Sequence, residues 1–168
     1  GPGNTPAYIT KDAKIKRAVN DLFLSKTFDN GMICASEQAI IVDNEVYNDV
    51  KAEFLAHNAY IVSSKAELAK LQAAVMLPDG HAVNPKIVGF SAKYIAELAG
   101  IKVPEETKLL IAEIAGVGVD FPLSREKLSP VLAMVKANST EEGLDLCEAM
   151  LDLGGLGHTA VIHTEDED

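Results

Sequence analysis

The sequence has no run of 18 apolar residues, no surplus of basic charge and no cysteine framework. Each absence excludes a class of protein. Without a long apolar run, no transmembrane helix is expected. A formal net charge of −10 makes nucleic acids and anionic membranes poor partners, because both carry negative charge themselves. The two cysteines lie far apart in no repeated spacing, so neither a disulfide framework nor a metal site is predicted.

The start of the chain lacks a charged segment followed by an apolar stretch. We therefore expect no signal peptide, and a reducing cytoplasm is the predicted location. At 168 residues, with 48% hydrophobic and 24% charged residues, the chain has the size and composition of one globular domain with its own core.

Helical and strand-like segments alternate along the chain. Apolar residues at helical spacing predict an amphipathic helix from about 11 to 25. Capping boxes that begin at Ser64 and Ser139 predict the starts of two later helices, and Asn44 is expected to cap another. Ser91 is expected to open a helix that ends at Gly100. Short apolar runs predict strands at 38–42, 60–62, 109–114, 130–135 and 159–163. This alternation favours an α/β domain with a mostly parallel sheet flanked by helices.

Cys34 is the candidate nucleophile. It ends a polar, glycine-containing turn, and the strand-like run Ala39–Val42 follows soon after. A thiol at such a junction can be accessible while a rigid element holds its backbone. The residues alone also allow a small buried apolar cysteine. Cys147 is the contrast, because it is expected to share the buried face of a helix with Leu144 and Leu151.

The segment Ser25–Gln38, which contains Cys34, resembles the active-site segment of CoA-acylating aldehyde dehydrogenases. It is most similar to the aldehyde dehydrogenase half of the bifunctional aldehyde–alcohol dehydrogenases. The similarity extends over nearly the whole chain and includes the segments Gly1–Pro6, Glu126–Pro130 and Gly154–Thr159. The resemblance implies the fold of an aldehyde dehydrogenase catalytic domain over residues 1–168.

The resemblance also implies roles for four residues. Cys34 would attack the aldehyde and become a thioester after hydride transfer to NAD. Glu126 would accept hydrogen bonds from the nicotinamide ribose hydroxyls, and Leu128 would make an apolar contact where the wider superfamily often has phenylalanine. His158 would lie near the cysteine and take the proton of the CoA thiol. The other histidines have no motif around them and are expected to be structural; they are His57, His81 and His163.

The expected reaction is aldehyde + CoA + NAD⁺ ⇌ acyl-CoA + NADH, with acetaldehyde as the expected aldehyde. The segment Gly1–Pro6 is similar to the acylating enzymes, which lack the water-activating glutamate of their hydrolytic relatives. No Gly-x-Gly-x-x-Gly turn follows a strand in this sequence. We therefore expect the nucleotide-binding domain, and any metal-dependent alcohol dehydrogenase domain, to lie outside this chain. A homo-oligomer is expected through the full-length protein.

Two alternatives stay open. A stand-alone acylating dehydrogenase of a microcompartment would use the same chemistry, but such enzymes more often have asparagine where this chain has Gly31. A non-catalytic assembly module could use the same fold for oligomer contacts. A reactive Cys34 would distinguish an enzyme from an assembly module.

Overall fold

The computed structural model describes residues 6–27, 39–80, 82–118, 120–125, 127, 129–154 and 161–163. Within these ranges the chain alternates between strands and helices. The strands are β1 Pro6–Ile9, β2 Ala39–Asp43, β3 Ala59–Val62, β4 Leu109–Glu113, β5 Val131–Ala137 and β6 Val161–His163. The helices are α1 Ile15–Thr27, α2 Tyr47–Ala56, α3 Lys65–Val75, α4 Ala92–Ala99 and α5 Thr140–Gly154.

The six strands form one sheet in the order β3-β4-β5-β2-β1-β6. All five neighbouring pairs are parallel, with Ala39 of β2 in register with Pro6 of β1 and with Ala133 of β5. Parallel neighbours require crossover connections. Helices supply most of them, whereas the connection from β4 to β5 contains only the 3₁₀ turn Pro122–Ser124. The prediction of an α/β domain with a mostly parallel sheet flanked by helices is confirmed.

Helices cover both faces of the sheet. Ile40 and Val42 of β2 belong to the cluster that includes the buried residues of α1 and α2. The alternate residue Ile41 faces the opposite way and packs with Cys147 of α5. Helices α3 and α4 pack on that second face as well, around Leu110 of β4. Burial on both faces explains why the strands read as continuous apolar runs. Among the described residues, no helix is both long and apolar enough to cross a membrane.

Three helices begin at serine caps, as the sequence predicts. The hydroxyl oxygens of Ser64, Ser91 and Ser139 accept hydrogen bonds from backbone N–H groups three residues onward, at 3.1, 3.2 and 3.1 Å. Helix α4 ends at Gly100, which has a φ of 79°. That left-handed conformation is one that glycine adopts at little cost, so the predicted helix end is confirmed.

The prediction that Asn44 caps a helix is wrong. Asn44 opens a short 3₁₀ turn, Asn44–Val46, and neither this turn nor α2 has a side-chain cap. The side chain of the preceding residue, Asp43, does not cap the turn either. Its carboxylate accepts hydrogen bonds from the Tyr8 hydroxyl at 2.5 Å and from the Lys11 backbone N–H at 2.8 Å.

The predicted buried face of α5 is displaced by one position. Cys147 is 4% exposed, as expected, but Leu144 is 48% exposed. Gly143 faces the sheet instead, because the ring of Tyr8 occupies the space that a side chain would take there. Glycine at this position lets the helix pass directly over the tyrosine, and the inward line therefore runs through Gly143, Cys147 and Met150.

We predict that Gly143→Ala destabilises the domain although alanine is the better helix former. A Cβ at Gly143 would lie 2.8 Å from Cε1 of Tyr8 and would overlap other atoms of that ring. Tyr8 is buried and bonded to Asp43, so it cannot move aside freely. We expect a loss of about 1–3 kcal/mol in the free energy of unfolding, despite a helix-propensity gain of about 1 kcal/mol.

Urea unfolding followed by circular dichroism would measure this loss. Leu144→Ala is the control, because it removes an exposed side chain one position away. It should change the free energy of unfolding by less than about 0.5 kcal/mol. A Gly143→Ala protein as stable as the wild type would contradict the packing of α5 on Tyr8.

Candidate active site

The sheet brings four strand starts to one edge. Strands β5, β2, β1 and β6 are consecutive neighbours. They begin at Val131, Ala39, Pro6 and Val161. Because all are parallel, the loops that enter them meet at the same, amino-terminal edge. With a spacing of about 4.8 Å between neighbouring strands, the four strand starts span only about 15 Å.

The residues that the sequence singles out belong to the loops that enter these strands. Cys34, Glu126, Leu128 and His158 all lie outside the described residues, so their roles stay predictions. Each precedes the first residue of β2, β5 or β6 by three to five positions in the sequence. These residues precede β2, β5 and β6. All three strands belong to the group of four neighbouring strands β5-β2-β1-β6.

A fully buried lysine lies in the loop that enters β5. Lys127 is 0% exposed. Its ammonium donates hydrogen bonds to the backbone carbonyls of Leu123, at 2.5 Å, and Arg125, at 2.7 Å. Leu123 belongs to the short 3₁₀ turn Pro122–Ser124, whose last carbonyls have no partner within the turn. The lysine therefore ties this loop to the turn before it.

A second buried lysine ends α1. Lys26 is 1% exposed and continues the inward stripe of Ala18, Val19 and Leu22. Since α1 connects the carboxyl end of β1 to the amino end of β2, its last turn lies toward the amino-terminal edge. Lysine is almost never fully buried unless it is paired. Sequence analysis missed both lysines, although a charged residue on the apolar stripe of α1 was a visible signal for Lys26.

Two further polar atoms are buried in the loop that enters β5. In the part of the chain that the structure describes, Nε of Arg125 and Oγ of Ser129 have no hydrogen-bond partner. Ser129 is 0% exposed. Buried polar atoms are nearly always paired, so such groups call for an explanation. Together with Lys127 they place three polar side chains in the loop that enters β5, at the amino-terminal edge of the sheet.

The opposite, carboxyl-terminal edge holds a cavity of about 320 Å³. Its lining includes Lys11, Asp43, Asn138 and Thr140. Open α/β sheets usually bind ligands at this edge. Here the buried carboxylate of Asp43 already binds the Tyr8 hydroxyl and a backbone N–H. Burial, followed by the hydrogen bond to Asp43, raises the pKa of Tyr8 above its usual value. The Asp43 carboxylate and the Tyr8 hydroxyl thus satisfy each other, which is typical of a structural role.

The expected structural roles of Cys147 and His57 agree with their surroundings. Burial raises the pKa of the Cys147 thiol to about 11, so that it is almost entirely protonated at neutral pH. His57 packs against the ring of Phe23, with 5.2 Å between centroids, and its Nε2 lies 3.5 Å from a carboxylate oxygen of Glu53. His81 lies outside the described residues. The described residues contain no group of three or more His, Cys, Asp or Glu side chains placed to hold a metal ion.

Comparison with known proteins agrees with this geometry. Residues 1–77 match the model of the aldehyde dehydrogenase family. The chain is 51% identical over 166 residues to the aldehyde-alcohol dehydrogenase of Clostridium acetobutylicum, which covers 99% of this chain. A crystal structure of an acetylating aldehyde dehydrogenase from Geobacillus thermoglucosidasius is 46% identical, covers 99% of this chain and superposes with a TM-score of 0.93. The chain belongs to the aldehyde dehydrogenase family.

This aldehyde dehydrogenase chain spans 19% of the Clostridium relative and 36% of the Geobacillus structure. A more distant solved structure, at 27% identity, is the propionaldehyde dehydrogenase of Rhodopseudomonas palustris. That structure contains CoA and an acylated cysteine. The match covers 99% of this chain and 37% of the Rhodopseudomonas chain, with a TM-score of 0.87.

We predict that limiting iodoacetamide labels Cys34 before Cys147. Only the thiolate reacts, and the pKa of about 11 keeps Cys147 protonated as well as buried. Peptide mass spectrometry after brief exposure at pH 7.5 would locate the label. Labelling of Cys147 should rise about tenfold with each pH unit until its pKa is approached.

Two single variants serve as controls for this measurement. Cys147→Ala should keep the fast labelling of the wild type, whereas Cys34→Ala should show only the slow phase. Preferential labelling of Cys147 in the folded protein would contradict the assignment of Cys34 as the reactive thiol.

Proposed function

We propose that this chain supplies the catalytic cysteine of a CoA-acylating aldehyde dehydrogenase that interconverts acetaldehyde and acetyl-CoA. The observation that supports it most is the 51% identity to an aldehyde-alcohol dehydrogenase over nearly the whole chain. The topology also supports it, because the Cys34 loop enters β2, which lies between β5 and β1 in the sheet.

In this proposal Cys34 and His158 act on the substrates. The Cys34 thiolate attacks the aldehyde carbonyl carbon, and a tetrahedral thiohemiacetal forms. Loss of hydride from that carbon leaves a thioester on the cysteine. His158 takes the proton from the CoA thiol, and the resulting thiolate attacks the thioester, so that acyl-CoA leaves and the Cys34 thiolate returns. NAD⁺, when bound, supplies the hydride acceptor.

In this proposal the loop that enters β5 positions the cofactor. Lys127 in this loop is fully buried and binds backbone carbonyls, so its side chain does not contact the dinucleotide. Glu126 would accept hydrogen bonds from the two hydroxyls of the nicotinamide ribose, and Leu128 would provide an apolar contact.

We further propose that the active protein is longer than this chain. The Clostridium relative is about five times as long, since 166 aligned residues make up 19% of it. We propose that the complete protein is a cytoplasmic, homo-oligomeric, bifunctional aldehyde–alcohol dehydrogenase of fermentation, in which a separate domain binds NAD. Isolated residues 1–168 should then fold without turning over acetaldehyde.

Replacing the proposed nucleophile provides the direct test. In the complete enzyme, Cys34→Ala should abolish the CoA-dependent formation of NADH from acetaldehyde, because no other group can form the thioester. Cys147→Ala is the matched control and should keep most of the activity. Substantial turnover by Cys34→Ala, at the level of the control, would rule out the proposed covalent mechanism.

The role of His158 can be distinguished from that of Cys34, because His158 is proposed to act only in the transfer of the acyl group to CoA. His158→Asn should slow transfer of the acyl group to CoA by on the order of 10² to 10⁴, the usual contribution of general acid–base catalysis. Formation of the thioester, seen as a pre-steady-state burst of NADH, should change little. Stopped-flow absorbance would follow both steps. Equal losses in both half-reactions, or none, would show that His158 is not the base for CoA.

A further inference from the structure

The ammonium of Lys127 holds the peptide bond that precedes Glu126. The carbonyl of Arg125 belongs to that peptide bond, and it accepts a hydrogen bond from Nζ of Lys127 at 2.7 Å. A second hydrogen bond, at 2.5 Å, joins Nζ to the carbonyl of Leu123. The Lys127 side chain therefore binds two backbone carbonyls that precede Glu126 in the sequence.

We propose that Lys127 is a positioning residue for the cofactor-binding carboxylate of Glu126. This inference rests on the proposed function, in which Glu126 binds the nicotinamide ribose. By fixing the Arg125–Glu126 peptide, the buried ammonium sets the direction in which the chain enters Glu126. Lys127 itself is 0% exposed, so it acts through the backbone and does not reach the cofactor.

The anchoring of the rest of the loop indicates that Lys127 is not needed to hold the loop ends. At one end, the backbone N–H of Arg125 donates to the Pro122 carbonyl at 3.1 Å. At the other end, the Pro130 carbonyl accepts from the backbone N–H of Leu110 of β4 at 3.0 Å. Glu126 lies between these two anchors in the sequence. Between them, Lys127 donates a hydrogen bond to the Arg125 carbonyl, in the peptide bond that precedes Glu126.

The chemistry of a buried lysine supports the same conclusion. A buried charge carries a desolvation penalty, and an apolar side chain of similar volume would often stabilise the fold as well or better. An ammonium with three donors can, however, bind several carbonyl oxygens from different peptides at once. The two carbonyls that Lys127 binds belong to residues on the same side of Glu126, two and four positions before the lysine. Binding both carbonyls with one buried ammonium is expected where the backbone that leads to Glu126 must keep one conformation.

The test compares four variants of the complete enzyme with the wild type. Lys127→Met keeps the length of the side chain but removes every donor, and Lys127→Gln keeps a donor on a shorter stem. Glu126→Gln removes the charge of the proposed ribose acceptor and replaces one of its two acceptor oxygens with an NH₂ donor. Lys102→Met is the matched control, because Lys102 is an exposed loop lysine. For each variant the NAD⁺ dissociation constant, the NADH burst rate, the rate of Cys34 alkylation and the melting temperature are measured.

We expect Lys127→Met to weaken NAD⁺ binding by on the order of 10- to 100-fold, the usual contribution of a hydrogen bond to a charged group. Glu126→Gln should show a loss of similar size, and Lys127→Gln a smaller one. Cys34 alkylation should stay at the wild-type rate in all of them, because the thiol lies on another loop. Lys102→Met should match the wild type in every measurement.

The outcomes separate this inference from the proposed function. Weakened NAD⁺ binding in Glu126→Gln with normal binding in both Lys127 variants overturns the positioning role alone. Normal binding in Glu126→Gln overturns the proposed ribose contact, and the inference with it. If both Lys127 variants fail to fold, or lose NAD⁺ binding and Cys34 reactivity in parallel, Lys127 is structural and the proposal is wrong.

Discussion

Parallel pairing of β2 with both β1 and β5 is the constraint on which the rest of the structure depends. All five residues of β2 are buried, and the strand is in register with a neighbour on each side. Because every strand runs in the same direction, each connection must return the chain to the amino-terminal edge before the next strand begins. The first residues of β2, β5 and β6, which follow Cys34, Glu126 and His158 in the sequence, therefore lie at one edge of the sheet.

Buried polar groups at the two edges serve different purposes. At the carboxyl-terminal edge, the Tyr8 hydroxyl and a backbone N–H satisfy the Asp43 carboxylate, and Tyr8 in turn fills the space under Gly143. That cluster fixes how α5 lies on the sheet. At the amino-terminal edge, Lys127 binds the backbone carbonyl that precedes Glu126, the residue proposed by resemblance to bind the cofactor. A hydrogen-bonded buried charge can thus specify local geometry even where it adds little stability.

Features governed by local chemistry could be predicted from the sequence. The serine caps, the left-handed Gly100 and five of the six strands depend on a few neighbouring residues, and the structure has them close to where they were expected. The first strand, β1, was not predicted. The exposed position of Leu144 was not predictable, because the direction of α5 is set by Tyr8, which is distant in sequence. The same holds for Asn44, which opens a 3₁₀ turn without a side-chain cap, while the carboxylate of the preceding Asp43 binds Tyr8 and Lys11. The candidate site residues were identified by their resemblance to family motifs. The burial of Lys127 could not be predicted from the spacing of apolar residues, because it depends on tertiary packing.

A crystal structure of the complete enzyme with NAD⁺ bound and Cys34 acylated would test the proposed site most directly. We expect the nicotinamide ring at the amino-terminal edge of β5, β2, β1 and β6, beside the thioester and with its ribose on Glu126. Lys127 should keep its hydrogen bond to the Arg125 carbonyl. A nicotinamide bound instead at the carboxyl-terminal edge, in the cavity lined by Lys11 and Asp43, would contradict the proposed site.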